Sequence, residues 1–368
     1  MNSPALRFPG FSEPWKRIRL GDNCTIQMCK RIFANQTSEA GDVPFFKIGT
    51  IGSRPDAFIS KELFDEYKTK YNYPIEGEVM ITCAGTVGKT LQFDGSDSYF
   101  QDSNIVWIHN PNQLTINDFL AYILGKINWN KLNSTTITRI YNDDLRNLFY
   151  YAPENVAEQK NIVLLLRLID ERISTQRRLI DKLETLIKGV RDLFIRKTIS
   201  DGKWVKLGDI CHITTGKLDA NAMEENGQYP FFTCAEKPFC INNYAFDTEA
   251  LLISGNGANL GYINYYNGKF NAYQRTYVLD KFTEDIQFIK IALQMLLPKR
   301  IAIEKSTSNT PYIVQSTLSD MRIFIPSKDL QRRTTNLMLR LEEDMCVQTS
   351  LLASYNRMKS YLLQQMFI

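Results

Sequence analysis

Gly88, Lys89 and Thr90 have the residue types and the order that end a phosphate-binding loop. That loop follows the pattern G-x-x-x-x-G-K-[ST], which directs successive backbone N–H groups at phosphates. Its first glycine would fall at position 83, but this position is Cys83, and Gly85 comes two residues too late. We therefore expect a tight turn between two strands, with glycine supplying a positive φ or a close backbone approach. A nucleotide site is the alternative, and it requires that the isolated chain binds ATP.

Other residues that commonly carry catalysis or bind metals are few. The chain has two histidines, His109 and His212, and none of its seven cysteines forms a C-x-x-C pair. A zinc site, a disulfide framework and a histidine-based acid–base mechanism therefore have little material. We expect no metal and no cofactor in this chain, and most of the cysteines as buried apolar side chains.

The composition is that of an ordinary globular protein with two or three domains. The 368 residues are 44% hydrophobic and 23% charged, and the formal net charge is +4. This mildly basic balance permits nucleic-acid binding without requiring it. The sequence contains neither an apolar run long enough to span a bilayer nor a signal-peptide pattern, so we expect a cytoplasmic protein without membrane contact.

The chain carries an internal repeat. Leu-Gly-Asp at positions 20–22 recurs 187 residues later, in the segments WKRIRLGD and WVKLGD, and G-x-x-P-F-F at 41–46 recurs 186 residues later. Two motifs at nearly one offset indicate a duplication. The glycine turn of the second repeat lacks the Lys-Thr of the first. A nucleotide site would therefore not explain why both repeats keep a glycine turn at this place. The same alignment pairs Gly85 with Gly257, Gly88 with Gly261, Gln101 with Gln274, Pro153 with Pro326, and Gln159 with Gln331.

Each repeat is predicted to run as a strand-rich domain, one helix, a further strand and a long helix. The shorter helices are expected near 118–132 and 287–301, where apolar residues follow helical spacing. Ser/Thr-rich loops are expected at 133–140 and 305–314. The predicted domains are residues 1–152, the first long helix at 153–200, the second domain at 201–326, and the second long helix at 327–368.

The first long helix carries apolar residues at alternating steps of four and three for more than four heptads. This spacing predicts a coiled-coil seam in which Gln176 is the single polar position and fixes the register. The first seam comprises Ile162, Leu166, Ile169, Ile173, Gln176, Ile180, Leu183, Ile187, Val190 and Phe194. A weaker seam in the second helix comprises Leu337, Leu341, Met345, Gln348, Leu351, Tyr355, Met358 and Leu362. We expect the two helices to pair antiparallel, which gives the repeat a pseudo-two-fold axis.

The sequence resembles the specificity subunits of type I restriction–modification systems over essentially its whole length. The resemblance is carried by the opening LRFPGFSEPWKRIRLGD, both Leu-Gly-Asp starts, both G-x-x-P-F-F segments, GTVGK and the ending MKSYLLQQMFI, in duplicated order. It implies an α+β fold with two similar strand-rich target recognition domains, joined by two long helices that form an antiparallel coiled coil.

The resemblance further implies that each domain reads one half of a bipartite site in double-stranded DNA, with the helices setting the spacer. Two methyltransferase subunits and a translocating restriction subunit would join this chain. The specificity subunit itself catalyses nothing, so S-adenosylmethionine and ATP are expected on the partner subunits. Two alternatives stay open besides the nucleotide-binding protein: a specificity subunit of a type II enzyme with fused cleavage and methylation subunits, and a purely structural adaptor without DNA dependence.

Candidate DNA contacts are the polar residues in loops between the repeated motifs, because base edges are read by such side chains and phosphates by Lys, Arg or backbone N–H. The first domain offers Lys30, Arg31, Lys47, Thr50, Arg54, Thr86, Lys89, Gln101, Thr136 and Arg139. The second offers Lys217, Asn221, Thr233, Lys237, Asn256, Asn259, Gln274, Arg275, Ser308 and Asn309. The two sets differ in chemistry, so the full DNA site is predicted to be asymmetric.

Overall fold

A computed structural model describes residues 3–129, 139–198, 202–305 and 312–368, with side chains described except at 193–198 and 304–305. The chain divides into two compact units. The first unit comprises Met1–Thr175 and Leu352–Ile368, and the second comprises Gln176–Leu351. Each unit therefore contains a recognition-domain repeat and part of each long helix.

The strands of the first unit form three sheets. Strands β1 and β9 pair with each other, a four-stranded sheet has the order β2-β8-β5-β6, and a three-stranded sheet has the order β4-β3-β7. Among the described strands of this unit, only the β3–β7 pair is parallel. Their bounds are β1 (Lys16–Arg19), β2 (Thr25–Gln27), β3 (Val43–Phe46), β4 (Phe58–Ile59), β5 (Val79–Thr82), β6 (Thr90–Gln92), β7 (Tyr99–Phe100), β8 (Ile105–His109) and β9 (Phe149–Ala152).

The helices of the first recognition repeat are short except for the last, which continues into the second unit. They are α1 (Leu20–Asn23), α2 (Lys61–Lys70), α3 (Asn117–Lys126), α4 (Asn142–Arg146) and the long α5 (Val156–Thr198). Helix α3 covers the predicted position of the first shorter helix but ends at Lys126. Helix α2 has no counterpart among the described residues of the second unit, and Ser60 caps it by accepting from Leu63 N.

The second unit repeats this order with a more continuous sheet. Strands β10 and β17 pair with each other, and the other six form one sheet in the order β11-β16-β14-β15-β12-β13. Strand β15 covers the places of both β6 and β7, so two sheets of the first unit correspond to a single sheet here. The bounds are β10 (Gly202–Lys206), β11 (His212–Thr215), β12 (Tyr229–Phe232), β13 (Phe239–Ile241), β14 (Phe246–Ser254), β15 (Ile263–Ala272), β16 (Thr276–Asp280), β17 (Arg322–Pro326), α6 (Leu207–Ile210), α7 (Ile286–Lys305), α8 (Gln315–Ser319) and α9 (Lys328–Gln365).

The duplication predicted from sequence is confirmed at the level of single hydrogen bonds. Gln159 near the start of α5 accepts from Ile116 N at 2.8 Å and donates to the carbonyl of Pro153 at 2.8 Å. Gln331 near the start of α9 accepts from Asp285 N at 3.2 Å and donates to the carbonyl of Pro326 at 3.0 Å. Both glutamines are buried, so each fixes the start of a long helix to the strand before it and to the loop before the shorter helix.

One of the predicted pairings is wrong in register, and the tryptophans that open the two repeats are not equivalent. Leu20 and Leu207 are equivalent residues of the two repeats. With these two aligned, β10 places Trp204 at the position that Arg17 has in β1, and Gly202 at the position of Trp15. Trp15 is buried and Trp204 is exposed, so the two tryptophans have different surroundings. Likewise Gln101 N and Tyr273 N make the same bond, to Phe46 O and Phe232 O, so the counterpart of Gln101 is Tyr273 rather than Gln274.

The described positions of the seam predicted for α5 are buried or half-buried. Its residues up to Gln176 are buried, as is Ile187, while Ile180, Leu183 and Val190 are half-buried and the side chain of Phe194 lies outside the described set. In the second unit, Gln176 contacts Gln348 and Arg191 contacts Glu342, so α5 and α9 run antiparallel there. This confirms the predicted helix pairing.

The seam predicted for α9 is one residue out of register at three positions. Leu337, Leu351 and Met358 are exposed, whereas Met338 is buried and Leu352 and Lys359 are half-buried. Met338 packs with Ile187 and Ile291. Lys359 donates to Asp170 of α5 at 2.5 Å, so the lysine stem occupies a seam position while its ammonium group is paired.

A buried ion pair holds the N-terminal segment against the start of α5. Arg7 donates to both carboxylate oxygens of Glu158, at 2.7 and 2.8 Å, and Trp15 Nε1 donates to the same carboxylate at 3.2 Å. Only 1% of the Glu158 side chain is exposed, so this carboxylate depends on those donors for the hydrogen bonds that water would otherwise supply. Trp15 also packs edge-on against Phe119 and Phe367.

We predict that Gln159→Leu lowers the free energy of unfolding by about 2–4 kcal/mol, because it removes the side-chain partner of the N–H of Ile116 and of the carbonyls of Leu114 and Pro153. Lys160→Leu is the matched control, since Lys160 is exposed one residue further along the same helix. Urea unfolding of both variants and the wild type measures the difference. Equal stability of the two variants would contradict this role for Gln159.

Candidate nucleic-acid interface

In the first unit the predicted DNA-contacting loops converge at one edge, because β3 and β7 are parallel and end side by side. The loop after β3 and the loop after β7 are joined where Ile48 N donates to Gln101 Oε1 at 3.3 Å. The glycine turn joins the same edge, since Lys89 Nζ donates to the carbonyl of Ile51 at 2.6 Å. Residue 139 is also brought here, because Ile140 N donates to the carbonyl of Cys83 at 2.9 Å.

The predicted residues of this edge differ in how they are held. Lys47 pairs with Asp56 at 3.1 Å, and Arg31 pairs with Asp102 at 2.8 Å. Arg54 and Thr86 are exposed, and their side chains have no hydrogen-bond or ion-pair partner among the described residues. Lys30 lies over the ring of Tyr71, and Arg139 lies over the ring of Tyr141. Thr50 accepts from Lys47 N and shapes the loop, and Thr136 lies outside the described residues.

The glycine turn of the first unit is shaped by packing. Gly88 has φ +80°, and its N–H donates to the carbonyl of Thr82 at 2.8 Å. A Cβ at this position would lie 2.0 Å from Cδ1 of Trp129. Gly261 repeats the arrangement, with φ +83°, a bond to the carbonyl of Ser254 and a would-be Cβ 2.6 Å from Ile301 Cδ1. Glycine therefore lets the first turn pack against Trp129, in the segment after β8, and the second turn pack against Ile301, in the segment after β16.

Cys83 sits where a phosphate loop would have its first glycine, and its thiol is buried. Burial raises the pKa of this thiol to about 12, so the group stays protonated and apolar at neutral pH. Its backbone N–H is already used, because it donates to the carbonyl of Asn104 at 2.8 Å. The ammonium group of Lys89 is also engaged within the protein, through its bond to the carbonyl of Ile51.

In the second unit the loops after β12 and β15 converge for the same reason, because this pair is also parallel. Cys234 lies at the centre of the cluster. Its Sγ donates to Asn256 Oδ1 at 3.0 Å, and its carbonyl accepts from Asn259 Nδ2 at 3.0 Å. The amide groups of Asn256 and Asn259 are thus held in defined orientations beside the second glycine turn.

The other candidates of the second unit surround this cluster. Gln274 donates to Asp219 at 2.7 Å, which places the loop of Lys217 and Asn221 beside the loop after β15. The side chains of Lys217, Lys237 and Arg275 are exposed and have no partner among the described residues. Thr233 is buried and accepts from Ala235 N, which is a turn-forming bond. Ser308 and Asn309 lie outside the described residues.

Sequence reasoning missed two residues of this interface. Asn104 lies in the first cluster next to Gln101, and Cys234 organises the second. Asn104 could have been found by aligning the start of β8 with the start of β16. Cys234 gave no signal, since a single cysteine outside a spaced pair has no characteristic pattern.

Within the residues described, no three His, Cys, Asp or Glu side chains converge in a group that could hold a metal ion. The same part of the chain contains no helix of the length and apolar character needed to cross a membrane. Both edges present hydrogen-bonding groups and positive charge, from Arg, Lys, Asn and Gln side chains.

The family of these domains is established by sequence comparison. The model of the type I restriction modification DNA specificity domain matches the chain twice, at residues 12–185 and 200–345. The chain therefore belongs to this family and contains two copies of its domain. This confirms the resemblance noted from the sequence and the internal repeat.

The chain is similar to proteins named as type I restriction enzyme specificity subunits. One from Haemophilus influenzae is 45% identical over 177 residues, which are 48% of this chain and 42% of that protein. The EcoDI specificity subunit of Escherichia coli is 45% identical over 131 residues, 36% of this chain and 29% of that protein. The alignments thus span about two fifths and three tenths of the length of these relatives.

A solved structure has the same fold over the whole length. The crystal structure of the type I restriction–modification system S subunit from M. genitalium aligns with 100% of this chain and 99% of its own, with a TM-score of 0.71. The sequence identity is 18%, so the likeness establishes the fold.

The packing of the glycine turn gives a test. We predict that Gly88→Ala destabilises the protein by about 1–3 kcal/mol more than Gly257→Ala, because it adds a steric clash with Trp129 to the strain of a positive φ. Gly257 is the matched control, since its φ is also +80° and no atom lies within 4 Å of its would-be Cβ. Urea unfolding of each variant against wild type measures both costs. Equal costs would mean that Trp129 does not require glycine at position 88.

Proposed function

We propose that this chain is the sequence-reading subunit of a type I restriction–modification complex. Each recognition domain reads one half of a bipartite site in double-stranded DNA. The observation that carries the proposal is the pair of loop clusters, which share backbone hydrogen bonds but present different side chains. A common scaffold with exchangeable polar side chains is what the reading of two different half-sites requires.

The proposed division of labour places no catalysis in this chain. Two methyltransferase subunits carry S-adenosylmethionine, and a restriction subunit that translocates DNA uses ATP. All of these subunits assemble in the cytoplasm. The proposal is supported by the family membership and by the glycine turn, where Lys89 Nζ and the N–H of Cys83 are already bonded within the protein. Those bonds also weigh against the nucleotide-binding alternative.

The long helices are proposed to set the spacing between the half-sites. Helix α5 is continuous over 43 residues and α9 over 38, and in the second unit they are held antiparallel by named contacts. A paired helix is stiff, and its length is fixed at about 1.5 Å per residue. The seam spacing also supports the predicted coiled coil.

The proposal is tested by exchanging residues 15–150 for the corresponding segment of a relative that recognises a different DNA site. The expected result is a hybrid motif in which one half-site changes while the other half-site and the spacer stay the same. The readout is the methylated motif in genomic DNA of cells that contain the hybrid and the methyltransferase subunits.

Exchange of residues 202–325 is the reciprocal control and should change only the other half-site. If both half-sites change in either hybrid, the domains do not read DNA independently. If neither changes in a hybrid that methylates DNA, the recognition domains do not determine specificity. A methylation pattern without any sequence dependence would favour the structural adaptor.

A further inference from the structure

Asn104 and Arg275 occupy the same place in the two repeats. The carbonyl of Asn104 accepts from Cys83 N at 2.8 Å, and the carbonyl of Arg275 accepts from Gly255 N at 2.8 Å. Strand β8 begins directly after Asn104, and strand β16 begins directly after Arg275. Each residue therefore ends the loop that faces the glycine turn of its own domain.

The side chains at this place are available to a ligand. Arg275 is exposed and Asn104 is half-buried. Neither side chain has a hydrogen bond or an ion pair with another residue in the described ranges. The backbone on both sides is fixed in contrast, since in the second domain Gln274 N donates to the carbonyl of Leu218 and Thr276 N donates to the carbonyl of Tyr273. A free side chain on a fixed backbone is the arrangement that specific recognition needs.

The surroundings of Arg275 suit a base edge. Asn256 uses its Oδ1 to accept from Cys234 Sγ, which leaves its NH₂ group to donate outward. Asn259 uses its Nδ2 to donate to the Cys234 carbonyl, which leaves its Oδ1 to accept. The Arg275 carbonyl lies 3.7 Å from the same sulfur, so a guanidinium, an amide donor and an amide acceptor come from one rigid cluster. Donors and acceptors together match base edges, whereas a phosphate offers acceptors only.

The difference between the two domains separates a base contact from a phosphate contact. The DNA backbone is the same for every sequence, so a phosphate contact gives no reason for the residue type at an equivalent position to differ between the repeats. The first domain has a neutral amide at 104 where the second has a guanidinium at 275. Such a change is expected where each domain reads a different base. Arg makes a bidentate contact with O6 and N7 of guanine, and Asn makes a bidentate contact with N6 and N7 of adenine.

We propose that residues 104 and 275 are equivalent specificity-determining residues, with Asn104 selecting an adenine in one half-site and Arg275 selecting a guanine in the other. The inference rests on the proposed function, because it presupposes that each domain reads a half-site. Beyond that function, it identifies the residue of each domain that reads a base and the base that this residue selects. It also states that the two residues act at corresponding positions of the repeats.

The experiment uses the full chain in complex with its methyltransferase subunits and a DNA pool in which both half-sites are randomised. Arg275→Asn should change the preferred base at one position of one half-site from guanine to adenine. Binding to the wild-type site should fall roughly 5- to 150-fold, the range of one two-pronged base contact. Asn104→Arg should change one position of the other half-site from adenine to guanine, and the spacer should stay the same in both variants.

Two variants serve as controls. Lys237→Ala removes another exposed, unpaired cation of the second unit and should weaken binding to all sequences by a similar factor. Arg275→Lys keeps the charge but loses the two-pronged geometry, so it should relax the choice of base at the same single position. The melting temperature of each variant is compared with that of wild type, and Arg275→Lys decides the question if Arg275→Asn does not fold.

Each outcome has a defined meaning. A selected motif that is unchanged in Arg275→Lys or Arg275→Asn overturns the inference. A uniform loss of affinity for all sequences, as in Lys237→Ala, also overturns it and assigns Arg275 to a phosphate. If the wild-type complex selects no bipartite motif, the proposed function fails instead, and that result is seen before any variant is made.

Discussion

The antiparallel pairing of α5 and α9 is the constraint on which the rest of the structure depends. In the first unit, Ile162 and Leu166 of α5 complete the core that contains Trp15 and Phe119, and in the second unit Met338 of α9 packs with Ile187 and Ile291. Gln176 Nε2 donates to Gln348 Oε1 at 2.6 Å within the seam. Gln348 follows Gln176 by the same 172 residues that separate Gln331 from Gln159, so the two partners are equivalent residues of the repeat. A slip by one heptad would bury both amides against apolar side chains and cost about 1–3 kcal/mol for each lost partner, which fixes the register.

A second consequence of the duplication is that one backbone framework presents two chemistries. In each domain the parallel strand pair brings two loops to one edge. The glycine turn of that edge packs against Trp129 in the first domain and against Ile301 in the second. These features do not depend on the side chains that face outward. The edge of the first domain carries mainly cations, whereas that of the second combines the amides of Asn256 and Asn259 with Lys217, Lys237 and Arg275. The framework can therefore keep its stability while the exposed residues vary, which is how function is carried on many scaffolds.

Much of the fold could be predicted from the sequence because the chain contains a repeat. Each element predicted in one copy could be compared with the corresponding element of the other copy. The paired glycines, the buried glutamines and the α5 seam are regular enough to be read from spacing alone. The errors have local causes. Leu337, Met338 and Leu339 are consecutive and apolar, so a period of 3.5 could not choose Met338. Lys359 lies in the seam because Asp170 pairs with its ammonium group, which a hydrophobic pattern does not anticipate. Helix α2 has no counterpart in the second repeat, so the duplication gave no information about it.

The candidate interface was less predictable than the fold, since the choice of loop residues depends on contacts that only the folded chain makes. Residue type alone placed Thr233 among the candidates, yet it is buried. The same criterion overlooked Asn104, whose position becomes clear only when β8 is matched to β16.

The most direct test of this account inserts one heptad after Gln176 in α5 and one before Gln348 in α9. Both insertions keep the Gln176–Gln348 contact and the order of the seam, and they lengthen the helix pair by about 10 Å. Since one base step spans about 3.4 Å, the account predicts unchanged half-sites and a spacer about three base pairs longer in the motif bound by the complex with its methyltransferase subunits. Insertion in α5 alone is the control and should lower the melting temperature, because it puts the seam out of register. An unchanged spacer in a folded, DNA-binding double-insertion variant would contradict the claim that the paired helices set the distance.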